Sequence, residues 1–165
     1  MKPGSAKYRF FAMTQRTQDQ ARAQRSTGAT KLALQSVVAV LAAIPVLVGL
    51  NGVLGGPEFL GLDQPWPIDL DSHFRFLSGL FFATGIVWYS CILDIDKKTE
   101  RFRLLAACTF AGGLARLGSL ALAGPPSAGQ IGGLCIELLA VPALVVWQSR
   151  VARNATLKAH RHTGG

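Results

Sequence analysis

Charged residues are scarce in this sequence. Only 16% of its 165 residues are Asp, Glu, Lys or Arg, compared with about 25% in an average soluble domain. Half of the chain is apolar, and most of the basic residues lie near its two ends. The middle of the chain is therefore more apolar than a water-soluble fold of this size requires. This composition argues against an ordinary soluble enzyme and against an intrinsically disordered protein.

Cysteines are also few, and none belongs to a motif that carries chemistry. Cys91, Cys108 and Cys135 lie in apolar segments and have neither metal-ligand spacing nor a CxxC arrangement. The sequence has no GxSxG, Walker, GxGxxG or HExxH pattern. We therefore expect no metal and no other cofactor, and we expect that the protein is not an enzyme.

Long apolar runs make up most of the remaining sequence. A helix needs about 17–25 mostly apolar residues to cross a bilayer, and residues 32–50, 74–93, 104–123 and 131–147 meet this requirement. The alternative, a soluble all-α bundle, is disfavoured because these segments have no polar face. The sequence thus predicts an all-α fold, a bundle of four transmembrane helices.

Basic residues flank these segments on one side only. Fifteen of the 17 Lys and Arg residues lie in residues 1–31, 94–103 and 148–165, whereas residues 51–73 and 124–130 contain none. Loops rich in Lys and Arg remain in the cytoplasm. Both termini are therefore predicted to be cytoplasmic, and the net charge of +8 reflects topology and not binding to nucleic acid.

The sequence divides into three predicted parts. Residues 1–31 form a basic, disordered cytosolic tail, residues 32–150 form the membrane domain, and residues 151–165 form a second basic, flexible tail. Two interpretations of the first tail remain open. Its basic residues can contact anionic lipid, or they can be solvated and only set the topology.

Two charged residues interrupt the predicted spans. Arg116 lies in the third and Glu137 in the fourth, where an ionisable group costs about 2.5–3.5 kcal/mol. At 1.5 Å per residue, Arg116 and Glu137 lie roughly 10 Å and 9 Å below the same membrane boundary. The short link at residues 124–130 makes these helices antiparallel neighbours, so we expect an ion pair. The pair can simply fix the register of the two helices, or it can take part in binding or proton handling.

More polar residues lie at the outer end of the second span. Asp71 and Arg75 are four residues apart and can pair on one helix face, with Arg75 extending toward the interface. Alternatively, Arg75 can reach inward toward Glu137. The outer half of the bundle then holds one polar cluster. Within it, Arg75, Arg116 and Glu137 alone leave one surplus positive charge. Either Asp71 balances that charge, or an anionic lipid or a small anionic ligand does. The members of this candidate cluster are Asp71, His73, Arg75, Arg116 and Glu137.

The segments DSHFRFLSGLFF, GGLARLGSL and CIELLA resemble a bacterial family of small four-helix integral membrane proteins known only as a domain of unknown function. The resemblance covers roughly residues 32–150. It implies the same four-helix fold and a polar group formed by Arg75, Arg116 and Glu137, with no established activity. From the spans and the distribution of basic residues we expect a multi-pass protein of the inner (plasma) membrane.

Two functional hypotheses follow from the polar cluster. The first is a non-enzymatic binding or accessory protein, whose cluster holds an anionic small molecule or lipid headgroup or stabilises contact with a membrane partner. The second is a small oligomeric transporter that couples proton or solute movement to Glu137. The expected partners are membrane lipids, a second copy of the chain or another membrane protein, and no nucleic acid. A membrane enzyme is weakest, since no span offers a nucleophile with its base or a metal triad.

Overall fold

The computed structural model describes residues 5–163 as helices joined by short connections, and that part of the chain contains no strand. The elements are α1 (Ser5–Gly55), a 3-10 helix (Gly56–Leu60), α2 (Ile68–Ile92), α3 (Thr99–Ala123), α4 (Ala128–Cys135), a π-helical turn (Ile136–Ala140) and α5 (Val141–Thr163). The last three elements are continuous and form a single helical run. The ends of the predicted tails, residues 1–4 and 164–165, lie outside the described residues.

Within residues 5–163, four helical segments are long and apolar enough to cross a membrane, namely Gln24–Leu60, Ile68–Ile92, Thr99–Ala123 and Ala128–Ala159. The predicted all-α fold with four membrane-spanning helices is confirmed. Only 11–22% of the residues in the apolar windows are buried inside the protein, and Leu122 is 92% exposed. Soluble monomers rarely expose so much apolar surface. The chain is a multi-pass membrane protein, and this exposed apolar surface suits a lipid environment.

The N-terminal tail differs from the expected disordered segment. Helix α1 begins at Ser5 and continues without a break into the first span. The first proline after Ser5 is Pro45, and the helix-favouring residues Ala, Gln and Arg recur along the tail. Nothing in this stretch therefore interrupts the backbone hydrogen bonds. The C-terminal tail is likewise helical as far as Thr163, the end of α5.

Helices α1 and α2 approach so closely that their contact requires glycine. A Cβ atom at Gly49 would lie 2.5 Å from the backbone nitrogen of Phe82, and one at Gly85 would lie 2.9 Å from the backbone nitrogen of Val46. The absence of a side chain lets the two backbones touch, as in other small-residue contacts between membrane helices. The two contacts run in opposite directions along the chain, so α1 and α2 form an antiparallel hairpin.

Helix α3 forms a second hairpin with the helical run that begins at α4. Their closest approach is at Gly113, where a Cβ atom would lie 2.9 Å from the Cβ of Glu137 and 2.8 Å from Cδ2 of Leu138. This contact brings α3 directly against the π-helical turn. The glycine thereby sets the distance at which side chains of α3 can meet the carboxylate of Glu137.

The two hairpins meet near the connection between α2 and α3. The buried rings of Trp88 and Phe102 pack edge to face, with centroids 4.9 Å apart. The fully buried Gln148 donates from Nε2 to the carbonyl of Ile95 at 2.8 Å and to Oγ1 of Thr99 at 2.9 Å. This end is the one that the basic residues predict to be cytoplasmic. Toward the opposite end the hairpins separate, and a cavity lies between them.

Candidate functional site

The predicted ion pair between α3 and the π-helical turn is present. Nε of Arg116 lies 3.2 Å from Oε1 and 3.1 Å from Oε2 of Glu137. The side chain of Glu137 is 10% exposed, whereas that of Arg116 is 38% exposed. The side chain of Arg116 therefore covers a buried carboxylate and keeps part of its own surface exposed.

The π-helical turn Ile136–Ala140 places Glu137 and was not expected from the sequence. Pro142, just after the turn, has no N–H to donate, and its ring crowds the carbonyl four residues earlier. The hydrogen-bond ladder widens here, and the N–H of Val141 donates to the carbonyl of Ile136. Such single wide turns within α-helices occur frequently at functional sites.

Gln130 completes the surroundings of Arg116. Nη1 of Arg116 donates a hydrogen bond to Oε1 of Gln130, which lies in α4. Gln130 precedes Glu137 by seven residues, which is two helical turns and places both side chains on one face. The guanidinium is thus held between a carboxylate and an amide. Gln130 is not among the site residues predicted from the sequence, and its spacing to Glu137 is the signal that could have indicated it.

Arg75 and Asp71 form a separate pair at the outer end of α2. Nε of Arg75 lies 3.1 Å and 2.9 Å from the two carboxylate oxygens of Asp71. Nη1 of Arg75 also donates to the carbonyl of Val53 at 2.5 Å and to that of Leu54 at 3.0 Å. These carbonyls belong to the last turn of α1, whose acceptors lack partners within the helix. Arg75 therefore joins α2 to the end of α1.

Gly56 makes room for this junction at the start of the 3-10 helix. Its φ is +61°, a left-handed conformation that favours glycine. A Cβ atom there would lie 2.6 Å from Nη2 of Arg75 and 2.7 Å from Oδ1 of Asp71. The chain can turn at Gly56 only because no side chain competes with the pair.

The structure thus does not form the single outer cluster that was one of the two alternatives. Arg75 pairs with Asp71 and the α1 carbonyls instead of extending toward Glu137. His73 is exposed and lies at neither pair. The physical reason is that the C-terminal carbonyls of α1 supply acceptors beside Arg75.

A cavity of about 400 Å³ lies between the two hairpins and extends toward their outer ends. Its walls are mainly apolar and include Pro45, Phe81 and Val141, and it is partly open. Among the described residues that line it, Arg116 and Glu137 alone are charged. A smaller cavity of about 230 Å³ shares Arg116 and Gln130 with it. The charge pair and its amide partner therefore form one polar patch in an otherwise apolar space.

Comparison with known families supplies the classification of the chain. The family described as "Domain of unknown function (DUF4345)" matches residues 33–148. The chain belongs to the DUF4345 family. In this DUF4345 protein the matched region includes both charged pairs and every residue that lines the larger cavity. Comparisons with curated proteins and with solved structures gave no match.

Proposed function

We propose that this DUF4345 protein is a non-enzymatic membrane protein that binds a lipophilic molecule in the cavity between its two hairpins. The observation that carries the proposal is the apolar cavity of about 400 Å³ with a single charge pair in its wall. Small-molecule sites typically have volumes of about 300–1,000 Å³, mostly apolar walls and a few convergent polar groups. The larger cavity has this combination.

The position of Arg116 supports binding over a purely structural pair. A pair that only fixes helix register can be sealed on every side, and Glu137 is indeed 90% covered. Arg116, however, is 38% exposed and lines both cavities. The donors of Arg116 beyond those used for Glu137 and Gln130 give the apolar space a point that can orient a ligand.

We also place the protein in the inner (plasma) membrane with both termini in the cytoplasm. The support is the distribution of basic residues, 15 of 17 of which lie in the three regions on one side of the predicted spans. In this orientation the cavity extends toward the outer half of the bilayer. A lipophilic ligand then reaches the site from the membrane.

Two adjacent glycines of α4 provide a matched test. A side chain at either Gly132 or Gly133 would have no atom within 4 Å of its Cβ, but only Gly133 lines the cavity. Gly133→Leu places a side chain in the cavity, whereas Gly132→Leu makes the same change in helix propensity outside it. We expect a lipophilic adduct in native mass spectra of the wild type and Gly132→Leu, and its loss from Gly133→Leu. No adduct in the wild type, or an equal adduct in Gly133→Leu, would contradict the proposal.

A further inference from the structure

Arg116 presents unused hydrogen-bond donors at the cavity. A guanidinium has five N–H donors, and in Arg116 the structure uses Nε for Glu137 and Nη1 for Gln130. Among the described residues, no acceptor is found for Nη2 of Arg116. Arg116 therefore keeps donor capacity at a surface that lines the cavity.

The two side chains that bind Arg116 have their acceptor oxygens engaged or sealed. Oε1 of Gln130 already accepts from Arg116, and Oε2 of Glu137 has no exposed surface. The hydroxyl of Thr84, on the opposite wall, donates to the carbonyl of Leu80 at 2.8 Å, so its oxygen keeps acceptor capacity on that wall and not at Arg116. Ser127 lies at the exposed rim of the cavity. A ligand that reaches Arg116 therefore meets N–H groups that require an acceptor.

The charge balance of the cavity is close to zero. The carboxylate of Glu137 offsets the charge of Arg116, and no other charged residue of the described part of the chain lines the space. Arg75 adds no second positive charge there, because it binds Asp71 and the end of α1. An anionic head would leave an uncompensated charge in apolar surroundings, which is costly. An uncharged acceptor avoids this cost.

We infer that the cavity selects lipophilic molecules with an uncharged, hydrogen-bond-accepting head, such as an ester or ketone carbonyl, which the guanidinium of Arg116 holds. This inference rests on the proposed function and specifies its ligand class. It differs from the anionic lipid or small anionic ligand expected from the sequence, since that expectation depended on surplus charge from Arg75.

Three probes with the same sixteen-carbon chain test the inference. They are methyl hexadecanoate, hexadecanoate at pH 9 and hexadecane, which present an uncharged acceptor, an anion and no acceptor. Their affinities for the purified full-length protein in detergent are compared by thermal-shift titration. A hydrogen bond from a charged donor should make the ester bind at least about tenfold more tightly than hexadecane. The ester should also bind more tightly than hexadecanoate.

The same titration is repeated with Arg116→Gln/Glu137→Gln, which removes both charges and strands neither. Its preference for the ester over hexadecane should fall toward unity, while hexadecane binds as before. Equal binding of ester and hexadecane to the wild type, or tighter binding of hexadecanoate, would overturn the inferred head chemistry. The proposed function would survive either result. It fails instead if none of the three probes binds the wild type differently from Gly133→Leu.

Discussion

Arg116 covers Glu137, with Nε of the guanidinium 3.1 Å from Oε2 of the carboxylate. The carboxylate is packed between α3 and the π-helical turn, where Gly113 allows the helices to approach closely. The guanidinium faces the cavity and is held in place by Gln130. In this pair, Glu137 supplies a buried charge and Arg116 supplies the surface that a ligand can contact.

Removing the charge of either Arg116 or Glu137 alone should destabilise the protein. Arg116→Leu leaves Glu137 buried without its counter-charge, and Glu137→Gln leaves the guanidinium without its anion. In soluble proteins such a loss costs about 3–5 kcal/mol. Arg116→Leu/Glu137→Leu should recover part of the lost free energy of unfolding, measured by denaturant titration in detergent. A double variant that loses the full sum of both singles would show that the residues do not interact.

Arg75 should contribute more to stability than its partner Asp71. Arg75→Gln loses the ion pair and also both hydrogen bonds to the last turn of α1, whereas Asp71→Asn keeps those two bonds. We expect a larger decrease in melting temperature for Arg75→Gln than for Asp71→Asn. Both variants should retain the lipophilic adduct, because neither residue lines the cavity. Equal melting temperatures for the two variants would contradict the role of the carbonyl contacts.

The orientation can be tested by cysteine accessibility. Cys108 and Cys135 are exposed, so a variant with all three native cysteines replaced by alanine serves as background. Cysteines at Thr14 and Thr156, whose hydroxyls only bond within their own helices, should react from the cytoplasmic side. A cysteine at Asp63 should react from the outside. Outside labelling of either terminus would overturn the orientation.

Asp96 should make the stability of the protein decrease in the acidic pH range. Burial raises the pKa of Asp96, but its hydrogen bond to Lys31, its own backbone and nearby positive charges together hold that pKa below the ordinary value. Nζ of Lys31 lies 2.7 Å from Oδ1. Because the folded-state pKa is the lower one, the stabilisation is present above the unfolded pKa of about 3.9 and is lost as pH falls through the folded value.

Melting curves of the wild type and Asp96→Asn between neutral pH and pH 3 check this dependence. The difference between them should be constant near neutrality and should shrink below about pH 4. Lys31→Met, which removes the partner charge, should reduce the same difference at neutral pH. A difference that persists unchanged into the acid range would contradict the assigned pair.

The membrane helices and the pair between them could be predicted because both leave clear signals in the sequence. Apolar length alone marks the four spans. Charge is expensive within a span, so Arg116 and Glu137 stand out, and the short link between their helices leaves them at matched depth. Each inference depends only on local composition and the helical rise.

Other features depend on groups that the sequence does not mark. The partners of Arg75 include backbone carbonyls of α1. Every residue has a backbone carbonyl, so residue types do not indicate which ones Arg75 binds. Gln130 is uncharged and lies in the predicted link at residues 124–130, so its spacing to Glu137 is the one weak signal that the sequence offers. The cavity arises because the two hairpins pack closely at one end and separate toward the other. Local sequence patterns do not indicate this separation. The helical continuation of α1 to Ser5 lacks the apolar pattern by which helices are recognised.

Photo-crosslinking tests the binding cavity most directly. Vesicles containing the purified protein are loaded with methyl hexadecanoate that carries a diazirine in its chain, and labelled peptides are mapped after illumination. Leu122 is 92% exposed and meets bulk lipid in any case, whereas Val141 lines the cavity and is 5% exposed. We predict labelling of Val141 and Ile136 in the wild type and Gly132→Leu, and its loss in Gly133→Leu while Leu122 remains labelled. Labelling of the wild type confined to outward-facing positions such as Leu122 would contradict the account.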